Sequence, residues 1–238
     1  MRQLWWCMAA LALLYGGEVR AAFVSNLSTG ADPVTGSLLP ASSADVKYTV
    51  TGPGGISFTP LVLTQASLPN TYLGDNAMPG SRWDYLLFSP TDSSFVPSGN
   101  YVFRTTVDLT GFDAATAQIS GLQVATDNGF LSAAVNGQAV FTHDPGTTPE
   151  EFTSILPVGD VGRGSFHAGL NTVEFTIINY GFGFSQGPSP AAFRAAGTVD
   201  ASPVPSPSSL ALLLTGALPL LLSKWRRTRS LYSRQPAA

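Results

Sequence analysis

The chain has 238 residues, of which 44% are hydrophobic, 11% aromatic and only 11% charged, with 24 glycines and 18 prolines. Globular domains ordinarily carry about 25% charged residues, so this charge-poor, turn-rich composition argues against helical bundles, coiled coils and acidic disordered tails. It points to an all-β domain. The net charge of −3 hides a segregation: Lys224, Arg226, Arg227, Arg229 and Arg234 crowd the end, while Lys47, Arg82, Arg104, Arg163 and Arg194 face fourteen acidic residues in the middle. A nucleic-acid binder carries its basic residues on the folded domain, so nucleic acid is not an expected partner.

In chain order, residues 1–21 read as a secretory signal peptide, the substrate of the export machinery and a signal peptidase. Arg2 supplies the positive start, Leu4 to Tyr15 the apolar core, and Val19-Arg20-Ala21 the small or neutral positions before a cut after Ala21. The run is too short to span a bilayer comfortably. Its Cys7 is the chain's one cysteine, so the mature chain has no disulfide, thiol nucleophile or thiolate metal site.

Residues 22–45, rich in Ser, Ala and Thr, are expected to be a loose lead-in, and 46–200 to form the ectodomain. Apolar and polar residues alternate there with period two. Tyr101, Phe103, Thr105, Val107 and Leu109 share one face, and Val173, Phe175 and Ile177 repeat the pattern. Further strands are expected at 46–51, 56–63, 83–88, 117–125, 130–135, 138–142, 152–158 and 192–199. Gly52-Pro53-Gly54, Pro97-Ser98-Gly99-Asn100 and Asp127-Asn128-Gly129 separate them, and Asn136-Gly137 fits the type I′ turn of a tight hairpin. So many short strands imply a single antiparallel β-sandwich, with a jelly roll as the expected topology.

Catalytic patterns are sparse. His143 and His167 sit beside turn residues and read as exposed loop histidines. Gly162-Arg163-Gly164-Ser165 and Gly183-Phe184-Ser185-Gln186-Gly187 do not match the nucleophile elbow. Glu150-Glu151 follows Thr148-Pro149 and reads as a solvated loop, because adjacent side chains on a strand point apart. Asp75, Asp127, Asp144 and Asp160 each offer an oxygen to calcium, but not at the spacing of a calcium loop. No catalytic residue and no metal ligand is therefore expected, and the domain reads as non-enzymatic. Sugar contact needs an exposed aromatic plane with a few polar groups. Trp83, the one tryptophan between the terminal segments, and Tyr180 and Phe182 in a glycine-rich loop are the candidates, each with core packing as the alternative.

Residues 201–209 form a Pro/Ser linker. It leads into an apolar run at 210–223, expected to be a single transmembrane helix, and a basic tail at 224–238. From Ser208 to Trp225 a helix would be about 27 Å long at 1.5 Å per residue, against a hydrocarbon core of about 30 Å. Trp225 suits the interface, and Arg226, Arg227 and Arg229 fix the tail in the cytoplasm, leaving the domain outside.

This ending resembles the PEP-CTERM sorting signal of bacterial envelope proteins: Val204-Pro205-Ser206-Pro207-Ser208-Ser209-Leu210-Ala211, a leucine-rich helix, then Arg226-Arg227. Ser206 stands where the family has Glu. The resemblance implies recognition by an exosortase-type membrane transpeptidase, release of the domain to the cell surface or matrix, and a structural or adhesive role with exopolysaccharide. A plain single-pass anchor is the alternative for the tail. The run from Tyr101 to Val199 is similar, more loosely, to galactose-binding-type jelly rolls. The Asn136-Gly137 hairpin and Gly169-Leu170-Asn171-Thr172-Val173 carry that likeness. It implies a carbohydrate-binding module as the alternative function, with a structural Ca²⁺ whose ligands the sequence does not identify.

Overall fold

The alternating segments become strands in a computed structural model of the protein, which describes residues 21–64, 72–86, 96–146, 151–180 and 189–204. They are β1 (Ala22–Asn26), β2 (Thr49–Thr51), β3 (Ser57–Phe58), β4 (Leu61–Leu63), β5 (Trp83–Tyr85), β6 (Gly99–Asp108), β7 (Phe112–Asp127), β8 (Gly129–Val135), β9 (Gln138–Thr142), β10 (Leu156–Val161), β11 (Leu170–Asn179) and β12 (Ala192–Pro203). Among the described residues there is no α-helix, only 3₁₀ turns at Pro53–Gly55 and Asp75–Ala77. The expected signal core and the expected transmembrane helix at 210–223 lie outside the described residues.

The strands form two antiparallel sheets. One runs β10-β7-β12-β5-β4, with β1 also paired to β12, and the other runs β3-β2-β6-β11-β8-β9. Each inner face follows from the period-two pattern. Tyr101, Phe103 and Val107 of β6 and Val173, Phe175 and Ile177 of β11 meet Ile119, Leu122 and Val124 of β7 and Phe193, Ala195 and Val199 of β12, all fully or almost fully buried. Phe193 is the hub, with ring centroids 4.7 Å from Phe103, 5.5 Å from Phe175 and 6.3 Å from Phe130. Burying each such ring is worth about 1.5–3 kcal/mol.

A second, smaller core lies on the other face of the first sheet, where Trp83 and Tyr85 of β5, Ala125 of β7 and Ala192 of β12 meet Tyr72 and Met78. The segment 72–81 covers that face. Arg194, two residues beyond Ala192 and therefore on the same side, is fully buried beneath it. Its guanidinium donates to the carbonyls of Gly74 (3.0 Å), Asp75 (2.7 Å), Met78 (2.8 Å) and Ser81 (2.9 Å) and to Ser81 Oγ (3.0 Å).

Three sequence boundaries are corrected. Residues 22–45 are not a loose lead-in: β1 pairs with β12, and Leu27, Thr29, Ala31 and Asp45 are fully buried. Leu27 N and Thr29 N donate at 3.0 Å to the carbonyls of Gly197 and Ala195, extending the ladder beyond β1. The 56–63 segment is two strands in different sheets, parted at Thr59-Pro60, because proline has no N–H for a ladder. Ala201, Ser202 and Pro203, expected in the linker, finish β12 opposite Asp113 and Phe112. At the tight hairpin, Asn136 and Gly137 have φ of 51° and 77°, as a type I′ turn requires.

Candidate functional site

A polar cluster outside the cores forms where β7 turns into β8. Asp127, the last residue of β7, is 6% exposed. The Tyr72 hydroxyl donates to its Oδ2, and Asn128 Nδ2 donates to Oδ1 at 2.8 Å. Burial pushes the Asp127 carboxyl up to about 6, with the Tyr72 hydrogen bond opposing. Asn128 Oδ1 in turn accepts from Tyr180 N at 2.9 Å, and the Tyr180 hydroxyl donates to the Gly146 carbonyl at 3.2 Å. Burial, then Asp144 and Glu151, raise the Tyr180 phenol.

Glu151 completes the corner and corrects its reading as a solvated loop residue. Its Oε2 accepts from Phe130 N at 2.6 Å and from the Thr126 hydroxyl at 3.2 Å, and its Oε1 meets His143 Nε2 at 2.7 Å. The ladder opens at the β7–β8 turn and leaves the Phe130 N–H without a strand partner on that side; a carboxylate supplies one. His143 is likewise not a free loop histidine, its side chain being 27% exposed against 16% for Glu151. Neighbouring aromatics support the corner, with Phe152 stacked on Tyr72 at 5.0 Å and Trp83 edge-on to Tyr72 at 5.2 Å.

Trp83 does not present a ring to a sugar. It is fully buried, and its Nε1 donates to the Leu73 carbonyl at 3.1 Å. The segment 72–81 hides it, and that cover is invisible in the local pattern Trp83-Asp84-Tyr85. Tyr180 is half-buried at the corner. Phe182 lies outside the described residues, as do Pro205, Ser206, Pro207, Trp225, Arg226, Arg227 and Arg229. Val204 is described and is 54% exposed.

The four aspartates weighed for calcium do not converge. Asp127 is engaged as above, Asp144 Oδ1 accepts from Gly146 N at 2.9 Å, and Asp160 Oδ1 from Gly121 N at 2.8 Å, while Asp75 belongs to the segment over Arg194. Among the described residues no three His, Cys, Asp or Glu side chains come together as a metal site. Cationic side chains brace the long loops instead. Arg194 does so in the 72–81 segment. In the 27–48 segment Lys47 Nζ donates to the Ser28 carbonyl and, at 3.1 Å, to that of Ala31.

Below Lys47 lie two fully buried carboxyls, Asp45 and Asp84. Asp45 accepts from Gly30 N at 2.7 Å and Lys47 N at 3.1 Å, whereas neither Asp84 oxygen receives an N–H. Burial first, and Asp45 second, push the Asp84 carboxyl well above the carboxylate range. Burial thus favours the uncharged, protonated form of Asp84.

Asn136 and Asn171 are braces. Asn136 Nδ2 donates to the Ser165 carbonyl (3.0 Å) and to Asn171 Oδ1 (2.8 Å), and its Oδ1 accepts from Thr172 N (2.9 Å). Asn171, 1% exposed, bonds the His167 and Gly169 carbonyls, both at 2.8 Å. Together they tie the β8–β9 turn to the β10–β11 connection. No family model, no curated protein and no solved structure matches the chain.

Proposed function

We propose that the protein is an exported, non-catalytic component of the cell envelope or extracellular matrix. Its signal peptide directs export. Its C-terminal signal holds it in the inner membrane, ectodomain outside, until an exosortase-type transpeptidase acts at Val204-Pro205-Ser206-Pro207. The jelly-roll sandwich then serves a structural or adhesive role with exopolysaccharide. One observation carries this reading: motif, apolar run and basic cluster follow one another in that order, beginning at the first residue after β12. A processing enzyme needs an extended, reachable substrate, and Val204 is exposed where β12 ends.

A carbohydrate-binding module is the second reading, favoured by the half-buried Tyr180 beside Asn128, Glu151 and His143. The charges favour a neutral glycan. Lys47 and Arg194 are spent on internal carbonyls and Arg104 is paired with Glu174 at 2.6 Å, so acidic groups dominate the surface and repel acidic polymers.

Intact mass of the protein recovered from the native host's envelope and medium tests the main reading. A species ending near Pro205–Pro207 is expected, absent when the processing enzyme is deleted. A species retaining Leu210–Ala238 and confined to the inner membrane would leave a simple anchored sandwich. For the second reading, selective glycan-array binding that is lost in Tyr180→Ala is the supporting result.

A further inference from the structure

The Asn136-Gly137 pair at the tip of the β8–β9 hairpin carries a chemistry of its own. The Gly137 backbone nitrogen, once it has lost its proton to water, can attack the side-chain carbonyl carbon of Asn136. A cyclic imide closes and ammonia leaves; water then opens the ring to aspartate or isoaspartate. Glycine leaves that nitrogen unscreened by a side chain, and both residues are exposed. The folded hairpin opposes the reaction. Both Asn136 Nδ2 protons are taken, by the Ser165 carbonyl at 3.0 Å and by Asn171 Oδ1 at 2.8 Å, and Oδ1 accepts from Thr172 N at 2.9 Å. These bonds hold the side-chain amide on the β10–β11 connection, away from the nitrogen that would attack it.

We propose that Asn136 is a fold-gated deamidation site, at which loss of ammonia irreversibly unfastens the β8–β9 turn from the β10–β11 connection. The brace is the gate, because attack waits on a local opening that frees the amide. Irreversibility follows from Asn171. Its Nδ2 donates to the carbonyls of His167 and Gly169, both at 2.8 Å, and its Oδ1 accepts from His167 N at 2.9 Å. With both its protons used, the Asn171 amide cannot turn over to offer a donor. A carboxylate at position 136 still accepts from Thr172 N, but its second oxygen faces two acceptors in place of Nδ2. Isoaspartate also adds a backbone carbon to a tight turn. The chain's other Asn-Gly pair, Asn128-Gly129, lacks the same access. Gly129 is buried and packed against Pro145, shielded from the water that must take its proton.

The test incubates the full chain in mildly alkaline buffer, folded or in urea, and reads both pairs by peptide-mapping mass spectrometry. In the folded chain, deamidation is expected at Asn136 and not at Asn128, several-fold slower than at Asn136 in urea. Asn171→Ala removes an acceptor from the brace. It should raise the folded rate at Asn136 several-fold and leave Asn128 intact, which also reports that the sandwich is folded. The comparison with urea needs no substitution and stands even where Asn171→Ala fails to fold. Asn136→Asp, made directly, should speed hydrogen exchange of the N–H at position 136, which donates to the Thr172 carbonyl at 2.8 Å. Equal rates at Asn136 with and without urea, or a folded rate untouched by Asn171→Ala, would overturn the gate. Asn136 and Asn128 modified alike in the folded chain, or both left intact, would overturn the site. Unchanged exchange in Asn136→Asp would overturn the unfastening.

Discussion

Asp84 and Asp127 show how a single buried carboxyl sets the pH response. Both have their acidity weakened mainly by burial, Asp127 to about 6 and Asp84 well above the ordinary range. A carboxyl that binds its proton more tightly when folded stabilises the fold below the unfolded value of about 3.9, and loses that contribution as pH rises through its folded value. The urea midpoint should therefore fall between about pH 4 and about pH 6 on account of Asp127. In Asp127→Asn, whose amide oxygen still accepts from Tyr72, that decline should flatten. Asp84→Asn replaces a buried ionisable group with a neutral one of the same shape. It should match or exceed the native stability at pH 7, by about 1 kcal/mol, and a lower midpoint there would contradict a cost of burying the Asp84 charge.

At the scale of elements, internal cations organise two of the long segments, Lys47 and Arg82 in 27–48 and Arg194 in 72–81. The guanidinium of Arg194 is held down to about 10 by burial, with Asp75 opposing, so it remains charged at neutral pH. Arg194→Met should cost about 3–5 kcal/mol, the usual consequence of removing one partner from a buried charged network. Limited proteolysis should then open the 72–81 segment first. Arg194→Lys should restore only part of the loss, because an ammonium has three donors where the guanidinium fork has five. The Asn136–Asn171 brace explains why an Asn-Gly turn and a Gly-x-Asn strand start occur in one chain. The turn was legible because φ above zero demands Asn and Gly at those places. The hydrogen bonds between the two motifs, thirty-five positions apart, were not.

For the whole molecule, closure depends on the first and last strands meeting. Among the described residues β1 pairs only with β12, which is also partnered by β7 and β5. Removing residues 22–26 would expose half of β12 as a free edge, and such edges template aggregation. The truncated domain should show a lower melting temperature and concentration-dependent light scattering on heating. Phe23→Thr, at a position 59% exposed, should change neither.

What the sequence determined by itself was local or compositional. Low charge, abundant turn formers and period-two alternation specify all-β structure, because alternation states which face of a strand is buried. It does not state against what. Tertiary structure alone decided that Trp83 lies under the 72–81 segment, that residues 22–26 complete the sheet of β12, and that 56–63 divides between two sheets. It alone brought Tyr72 to Asp127, and Asn128 to Tyr180. Those partners lie 55 and 52 positions apart. Their meeting is a property of strand order and register, which long-range pairing selects and no local pattern encodes.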